Sequence, residues 1–123
     1  MDAGVIVELI ASGLDPDRLG DEELVAPHLI DSEVTAALRK LVLRGALTDE
    51  QGTSALNGFT RLALGRYPAD WLRPRMWALR HNLSSYDATY VALAEMVGAT
   101  ALLTTDRRLA QAPGIQCRVE VIR

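Results

Sequence analysis

The sequence contains one cysteine, one lysine and no long apolar run. Because Cys117 has no second cysteine to pair with, an internal disulfide and a cysteine-based zinc site are both excluded. No apolar stretch approaches the roughly 18 residues that a membrane-spanning helix requires. The first residues show no basic segment followed by an apolar core, so we expect no secretion signal and a cytoplasmic location.

The length and composition are those of a single soluble domain. The chain has 123 residues, of which 49% are apolar and 24% are charged. This length allows one domain with a real core, and no repeat or linker divides it, so we predict a single domain over residues 1–123. The formal net charge of −3 excludes a broadly basic surface, although 12 of the 13 basic residues are arginine. Arginine suits bidentate binding of phosphate or carboxylate, but genome composition would produce the same bias.

Short apolar runs alternate with helix-like segments along the chain. Helices are predicted over Val5–Ala11, Glu33–Arg44, Thr48–Leu64, Asp70–Arg80, Tyr86–Val97 and Arg107–Ala110. Short strands are predicted over Leu24–Ile30, Thr100–Leu103 and Val119–Ile122. Because short apolar strands alternate with helices, we expect an α/β fold whose mainly parallel sheet is covered on both faces.

Capping residues mark the start of three of these helices. The pair Asp31–Ser32 offers an N-cap to the second helix. Thr48 and Gln51 have the spacing of a capping box for the third. The pair Ser84–Ser85 stands directly before the fifth.

Four acidic residues stand where helices begin. Asp106 separates a predicted strand from the helix that follows it, and Glu33 lies in the first turn after the Leu24–Ile30 strand. Asp2 directly precedes the first helix, and Asp87 opens the fifth. Strand-to-helix turns of a parallel sheet meet at its carboxyl edge, where α/β proteins build their sites. Each acid alone is also a favourable helix cap, but four at one edge favour a site.

Four segments of the chain resemble the PIN-domain ribonucleases, specifically the VapC toxins of bacterial toxin–antitoxin pairs. They are DAGVIVELI from Asp2, APHLIDSEVTAALRK around Glu33, LSSYDATYVALAE around Asp87, and LLTTDRRLAQAPG around Asp106. Together they span nearly the whole chain in the right order, and the last two are the most specific.

The resemblance implies a three-layer α/β/α sandwich that acts as a metal-dependent endoribonuclease toxin. It implies that Asp2, Glu33, Asp87 and Asp106 form a metal-binding acidic pocket, with Thr104 as an auxiliary hydroxyl. It also implies an RNA substrate, a VapB-type antitoxin and a homodimer. Hard carboxylate oxygens suit Mg²⁺ or Mn²⁺, and such an ion relieves the mutual repulsion of the acids.

Other classes of protein with acids at a sheet edge fit less well. A receiver-like phosphoacceptor domain needs a lysine after its last strands, and Lys40 lies on an early helix. A haloacid dehalogenase-type phosphatase needs Asp-x-Asp, whereas this chain has Gly4 two residues after Asp2. Family members usually carry several apolar residues before that first Asp, so we expect a shortened N-terminal strand. They often carry Ser or Asn where Gly4 stands, so we expect one polar support of the pocket to be absent. A PIN-like protein that binds partners without catalysis is therefore the alternative.

Two further sets of residues are candidates for contacts with other molecules. Setting the four site acids aside changes the formal charge from −3 to +1, so the acidic total does not argue against RNA. Phosphate contacts are predicted for Arg73, Arg75, Arg80, Arg107 and Arg108, with a solvated face or pairing with acids as the alternative. Protein contacts are predicted for Leu56, Phe59, Leu62, Leu72, Met76 and Leu79, with core packing as the alternative.

Overall fold

The computed structural model describes residues 23–122, and Asp2, Gly4 and the predicted helix Val5–Ala11 lie outside this range. The strands are β1 (Val25–Pro27), β2 (Gly65–Tyr67), β3 (Leu102–Thr104) and β4 (Val119–Val121). The helices are α1 (Leu29–Leu43), α2 (Asp49–Arg61), α3 (Arg73–Ala78), α4 (Ser85–Met96) and α5 (Arg107–Gln111). A 3₁₀ turn over Asp70–Leu72 leads into α3.

The strands form two parallel pairs within the described part of the chain. β1 pairs with β2, with Val25 opposite Gly65, and β3 pairs with β4, with Leu102 opposite Val119. Parallel pairing joined by helices confirms the predicted α/β class. Strand β2 was not predicted, because its sequence Gly-Arg-Tyr has neither an apolar run nor a clear alternation.

Helix α1 begins four residues earlier than predicted. Its N-cap is His28, whose side chain makes no capping hydrogen bond, so the predicted cap at Asp31–Ser32 is wrong. The Asp31 carboxylate lies inside the first turn and instead accepts hydrogen bonds of 2.7 and 2.8 Å from Arg66 of β2. The helix can start early because Ile30 is fully buried in the core.

The other helix starts follow the predicted caps closely. Thr48 and Gln51 form both hydrogen bonds of the capping box, which confirms that prediction. Ser84 accepts a hydrogen bond of 3.1 Å from the N–H of Asp87 and caps α4. The helix predicted over Asp70–Arg80 is shorter, because its first turn is 3₁₀ and the α-helix covers only Arg73–Ala78.

Helix α4 is the centre of the described fold. Every residue from Ala88 to Ala94 is buried, so this helix is covered on all sides rather than along one stripe. It packs against α3 on one side and contacts both β1 and β3. This position brings its first turn, with Asp87, close to the end of β3. Over residues 23–122, no helix has the length and apolar character needed to cross a bilayer.

Candidate active site

Asp106 lies at the junction of β3 and α5, where hydrogen bonds hold both its backbone and its side chain. Its N–H donates a hydrogen bond of 3.0 Å to Oγ1 of Thr104, which is completely buried at the end of β3. Its Oδ1 accepts a hydrogen bond of 2.9 Å from the N–H of Arg108 and so caps α5. The side chain is still 38% exposed, so the carboxylate can meet a ligand from solvent.

Asp87 lies in the first turn of α4, where burial and the charge of Asp106 both change its pKa. Burial is the largest effect on the pKa of Asp87 and raises it above the ordinary carboxyl value, and the negative charge of Asp106 raises it further. A hydrogen bond with Ser84 and the charge of Arg108 act in the opposite direction without cancelling the rise. The fold therefore places two carboxylates close enough to disfavour their joint ionisation.

Glu33 is joined to α4 through Tyr90. The buried Tyr90 hydroxyl donates a hydrogen bond of 2.5 Å to Oε1 of Glu33. Tyr90 follows Asp87 by three residues, so the two side chains lie on neighbouring positions of one helix face. A tyrosine within an apolar helix is normally assigned to the core alone. The three-residue spacing from Asp87 is the signal that could have indicated its second role.

The described residues bring together part of the predicted acid set. The charge of Asp106 acts on Asp87, and Glu33 is attached to the same helix through Tyr90. Between residues 23 and 122, however, no three acidic, histidine or cysteine side chains form a group able to hold a metal ion. The Asp87–Asp106 pair itself fits a hard divalent cation, because both donors are carboxylate oxygens whose like charges a cation neutralises.

The whole sequence matches known proteins over most of its length. The model of the PIN domain family matches residues 1–115. The chain belongs to the PIN domain family. It is 41% identical to Ribonuclease VapC9 of Mycobacterium tuberculosis over 120 residues, which cover 98% of this chain and 94% of that protein.

Two further relatives are ribonucleases from the same organism. Ribonuclease VapC1 is 46% identical over 102 residues, covering 80% of this chain and 74% of the relative. Ribonuclease VapC12 is 35% identical over 126 residues, which cover 99% of this chain and 97% of the relative. These similarities confirm the resemblance to VapC ribonucleases seen in the four sequence segments.

Arg75, one of the five arginines predicted to contact phosphate, forms an ion pair with a largely buried acid. Nε of Arg75 donates a hydrogen bond of 2.6 Å to Oε1 of Glu95, and Nη2 reaches Oε2 at 3.1 Å and the carbonyl of Gly114 at 2.7 Å. For Arg75 the alternative of pairing with an acid therefore holds, and its guanidinium joins α3 and α4 to the loop before β4. The other four arginines are exposed: Arg73, Arg80, Arg107 and Arg108.

Half of the predicted protein-contact residues of the PIN domain are core residues. Phe59, Leu72 and Leu79 are each at most 5% exposed, so for these three the core-packing alternative holds. Leu62 and Met76 are partly buried against the core. Leu56 alone among the six is strongly exposed, at 39%. Most of these apolar side chains therefore belong to the core rather than to a surface for a partner.

Proposed function

We propose that this PIN domain is a metal-dependent endoribonuclease that acts as the toxin of a toxin–antitoxin pair. The observation that carries the proposal is the proximity of the Asp87 and Asp106 carboxylates, since burial and then the negative charge of Asp106 raise the pKa of Asp87. The relatives VapC9, VapC1 and VapC12 are ribonucleases by name, which supports RNA as the substrate. RNA is a polyanion, so an acidic site acts on it only when a cation intervenes.

The proposed site consists of Asp2, Glu33, Asp87 and Asp106, which would together hold Mg²⁺ or Mn²⁺. When bound, such an ion supplies the positive charge that polarises a scissile phosphodiester and favours ionisation of a water molecule. Ser84 holds the first turn of α4 and thereby positions Asp87, as the 3.1 Å cap bond suggests.

Thr104 and Arg108 have supporting roles in this proposal. The buried Thr104 hydroxyl accepts the hydrogen bond from the Asp106 N–H. This bond fixes the Asp106 backbone directly after β3 and thereby positions its carboxylate. Arg108 lies 3.4 Å from Asp106 through Nε, yet its side chain is 93% exposed. An exposed pair of this kind is weak, so the guanidinium is available to a phosphate of the substrate.

The remaining proposals concern organisation and partners. We propose that residues 1–123 form one PIN domain, that the protein works in the cytoplasm as a homodimer, and that a VapB-type antitoxin inhibits it. The names of the relatives support the antitoxin, since VapC proteins are the toxins of such pairs.

Incubation with total cellular RNA tests the catalytic proposal. Wild type, Asp106→Asn and Asp49→Asn are each compared with Mg²⁺, with Mn²⁺ and with a chelator. Asp49→Asn is the matched control, because Asp49 is an exposed acid in the first turn of another helix, α2. We expect metal-dependent cleavage by wild type and Asp49→Asn and none by Asp106→Asn. Absence of cleavage by wild type with either metal excludes the enzymatic proposal and leaves a PIN-like binding protein.

A further inference from the structure

Exposed aromatic side chains are concentrated in one part of this chain. Only 5% of the residues are aromatic. Trp71 is nevertheless 53% exposed, Trp77 68% and Tyr86 60%. All three lie between the start of the 3₁₀ turn and the first turn of α4. A tryptophan buries a large area when it is covered, so leaving both tryptophans of the chain in water indicates that this surface meets a ligand.

Two arginines accompany Trp77 along the same face. Arg73 precedes Trp77 by four residues, the spacing of neighbours on one helix face, and Arg80 follows in the turn just after α3. The Arg80 guanidinium lies over the Trp77 ring, 4.5 Å from its centroid, and donates a hydrogen bond of 2.9 Å to the Trp77 carbonyl. Arg73 donates to the carbonyl of Asp70 at 2.8 Å.

The charge of both arginines is uncompensated in the described structure. The ion pairs present between residues 23 and 122 involve other arginines, so neither Arg73 nor Arg80 meets a carboxylate there. An uncompensated cation beside an exposed aromatic ring attracts an anionic ligand that also has flat rings. This charge argues against a purely apolar protein contact.

The connection between α3 and α4 leads from these residues directly to Asp87. The N–H groups of Asn82 and Leu83 both donate hydrogen bonds of 3.1 Å to the carbonyl of Leu79, which makes the connection tight. The two helices also touch, with Oγ1 of Thr89 lying 3.8 Å from the Met76 sulfur. The C-terminal end of α3 therefore stays beside the N-terminal end of α4.

We propose that Arg73, Trp77, Arg80 and Tyr86, here called the Trp77 surface, bind single-stranded RNA and deliver it to the Asp87–Asp106 pair. A base stacks on the exposed Trp77 ring, and the two arginines contact flanking phosphates. The inference rests on the proposed ribonuclease function and adds what that function leaves open, namely which residues outside the acidic site hold the RNA. Stacking accepts every base, so this surface selects unpaired RNA rather than a sequence.

Binding is measured by fluorescence anisotropy with a labelled single-stranded 12-nucleotide RNA and with the same RNA in a duplex. Asp106→Asn is used as the background so that the probe stays intact. Trp77→Ala is expected to weaken single-strand binding roughly 5- to 150-fold, the usual loss for one stacked base. Trp77→Phe should retain most of the affinity, and binding of the duplex should change little. Leu43→Ala is the matched control, because Leu43 is also 68% exposed but lies at the end of α1.

The arginines provide a second, independent measurement. Arg73→Gln and Arg80→Gln should each reduce the slope of log affinity against log salt by about 0.7, the value for one phosphate contact on a single strand. Unchanged affinity in Trp77→Ala together with unchanged salt slopes overturns the inference. If Trp77→Ala instead lowers the molar mass in light scattering and leaves RNA affinity unchanged, the surface is a contact between two copies of the chain, which also overturns it.

Cleavage by proteins that retain Asp106 separates this inference from the proposed function. If wild type cleaves RNA and Trp77→Ala cleaves with the same KM, the Trp77 surface is wrong while the ribonuclease proposal stands. If wild type binds single strands through Trp77 but cleaves none with Mg²⁺ or Mn²⁺, the surface is correct and the ribonuclease proposal is wrong.

Discussion

The Tyr90 hydroxyl donates a hydrogen bond of 2.5 Å to Glu33 and joins the buried helix α4 to the first turns of α1. Groups that orient a metal ligand without touching the metal commonly change metal affinity by 10- to 100-fold when they are removed. We therefore expect Tyr90→Phe, which deletes only the hydroxyl, to weaken Mn²⁺ binding by about 10-fold or more. Titration calorimetry on the purified protein measures this directly.

The control for this change is Tyr67→Phe, because Tyr67 is a tyrosine of the same fold at the end of β2. It should bind Mn²⁺ like wild type. A second control is the double variant Glu33→Gln with Tyr90→Phe, which should bind no more weakly than Glu33→Gln alone, since the hydroxyl acts through Glu33. Equal Mn²⁺ affinity in wild type and Tyr90→Phe would show that the hydrogen bond has only a structural role.

Glu95 connects three segments that are distant in sequence, so its removal should reduce stability. It accepts hydrogen bonds from Arg75 of α3 and, at 2.8 Å, from the N–H of Gln116, and its side chain is only 12% exposed. Glu95→Gln should lower the free energy of unfolding at pH 7 by about 1–2 kcal/mol, as expected for partly buried hydrogen bonds to a charged group. Urea denaturation measures the change, with Glu120→Gln as the control, since Glu120 meets Arg118 only at 3.7 Å on the surface.

The same carboxylate predicts a dependence of stability on pH. Burial by itself raises the pKa of Glu95, but hydrogen bonds from Arg75 and Gln116 and the charge of Arg75 together lower it below the ordinary value. A carboxyl whose pKa is lower in the folded state stabilises above its unfolded pKa, about 4.3, and loses that contribution as the pH falls through its folded pKa. The stability difference between wild type and Glu95→Gln should therefore shrink from pH 7 to pH 3. A constant difference would contradict this assignment.

The sequence predicts those parts of this fold that depend on neighbouring residues. The capping box of Thr48 and Gln51 and the cap at Ser84 involve residues three apart, and both are present. The predicted cap at Asp31–Ser32 fails because α1 already begins after His28, and the Asp31 carboxylate binds Arg66, 35 residues away. No local pattern contains that pairing.

The candidate site shows the same limit. The motif around Asp87 and Asp106 indicated both acids, and their proximity depends on the packing of α4 beside β3, which the α/β class makes plausible. The partner of Arg75 was not predictable, because Glu95 lies on a different helix. A separation of 20 residues is not one of the short spacings that predict a contact within a helix. The contact of Tyr90 with Glu33 was not predicted either, because a buried aromatic residue inside an apolar helix is normally assigned to the core.

A close approach between α1 and α2 makes Gly52 hard to replace. A Cβ atom added at Gly52 would lie 2.8 Å from Cγ2 of Val42, a distance that non-bonded carbon atoms do not tolerate. Alanine favours a helix over glycine by about 1 kcal/mol, but overpacking costs typically 1–3 kcal/mol. We expect Gly52→Ala to lower the melting temperature, because the β-branched Val42 side chain has little freedom to move away.

The double variant Gly52→Ala with Val42→Ala provides the check. Shortening Val42 removes the atom that clashes, so the second substitution should recover much of the stability lost through the first. A double-mutant cycle on unfolding free energies measures the coupling, which should be favourable by about 0.5 kcal/mol or more. Additive losses would mean that the two helices do not meet at these residues.

Asp106→Asn tests whether the two carboxylates form a cation site or are only helix caps. Asparagine caps a helix as well as aspartate does, so the bond to the Arg108 N–H should be retained. Loss of the negative charge beside Asp87 should leave the metal-free protein as stable as wild type or more stable. Mg²⁺ or Mn²⁺ at one hundred times Kd should stabilise wild type by about 2.7 kcal/mol and the variant much less. Melting curves with and without metal measure both effects. If Asp87 and Asp106 are caps alone, neither protein will respond to metal, and the substitution will leave the melting temperature unchanged in every condition.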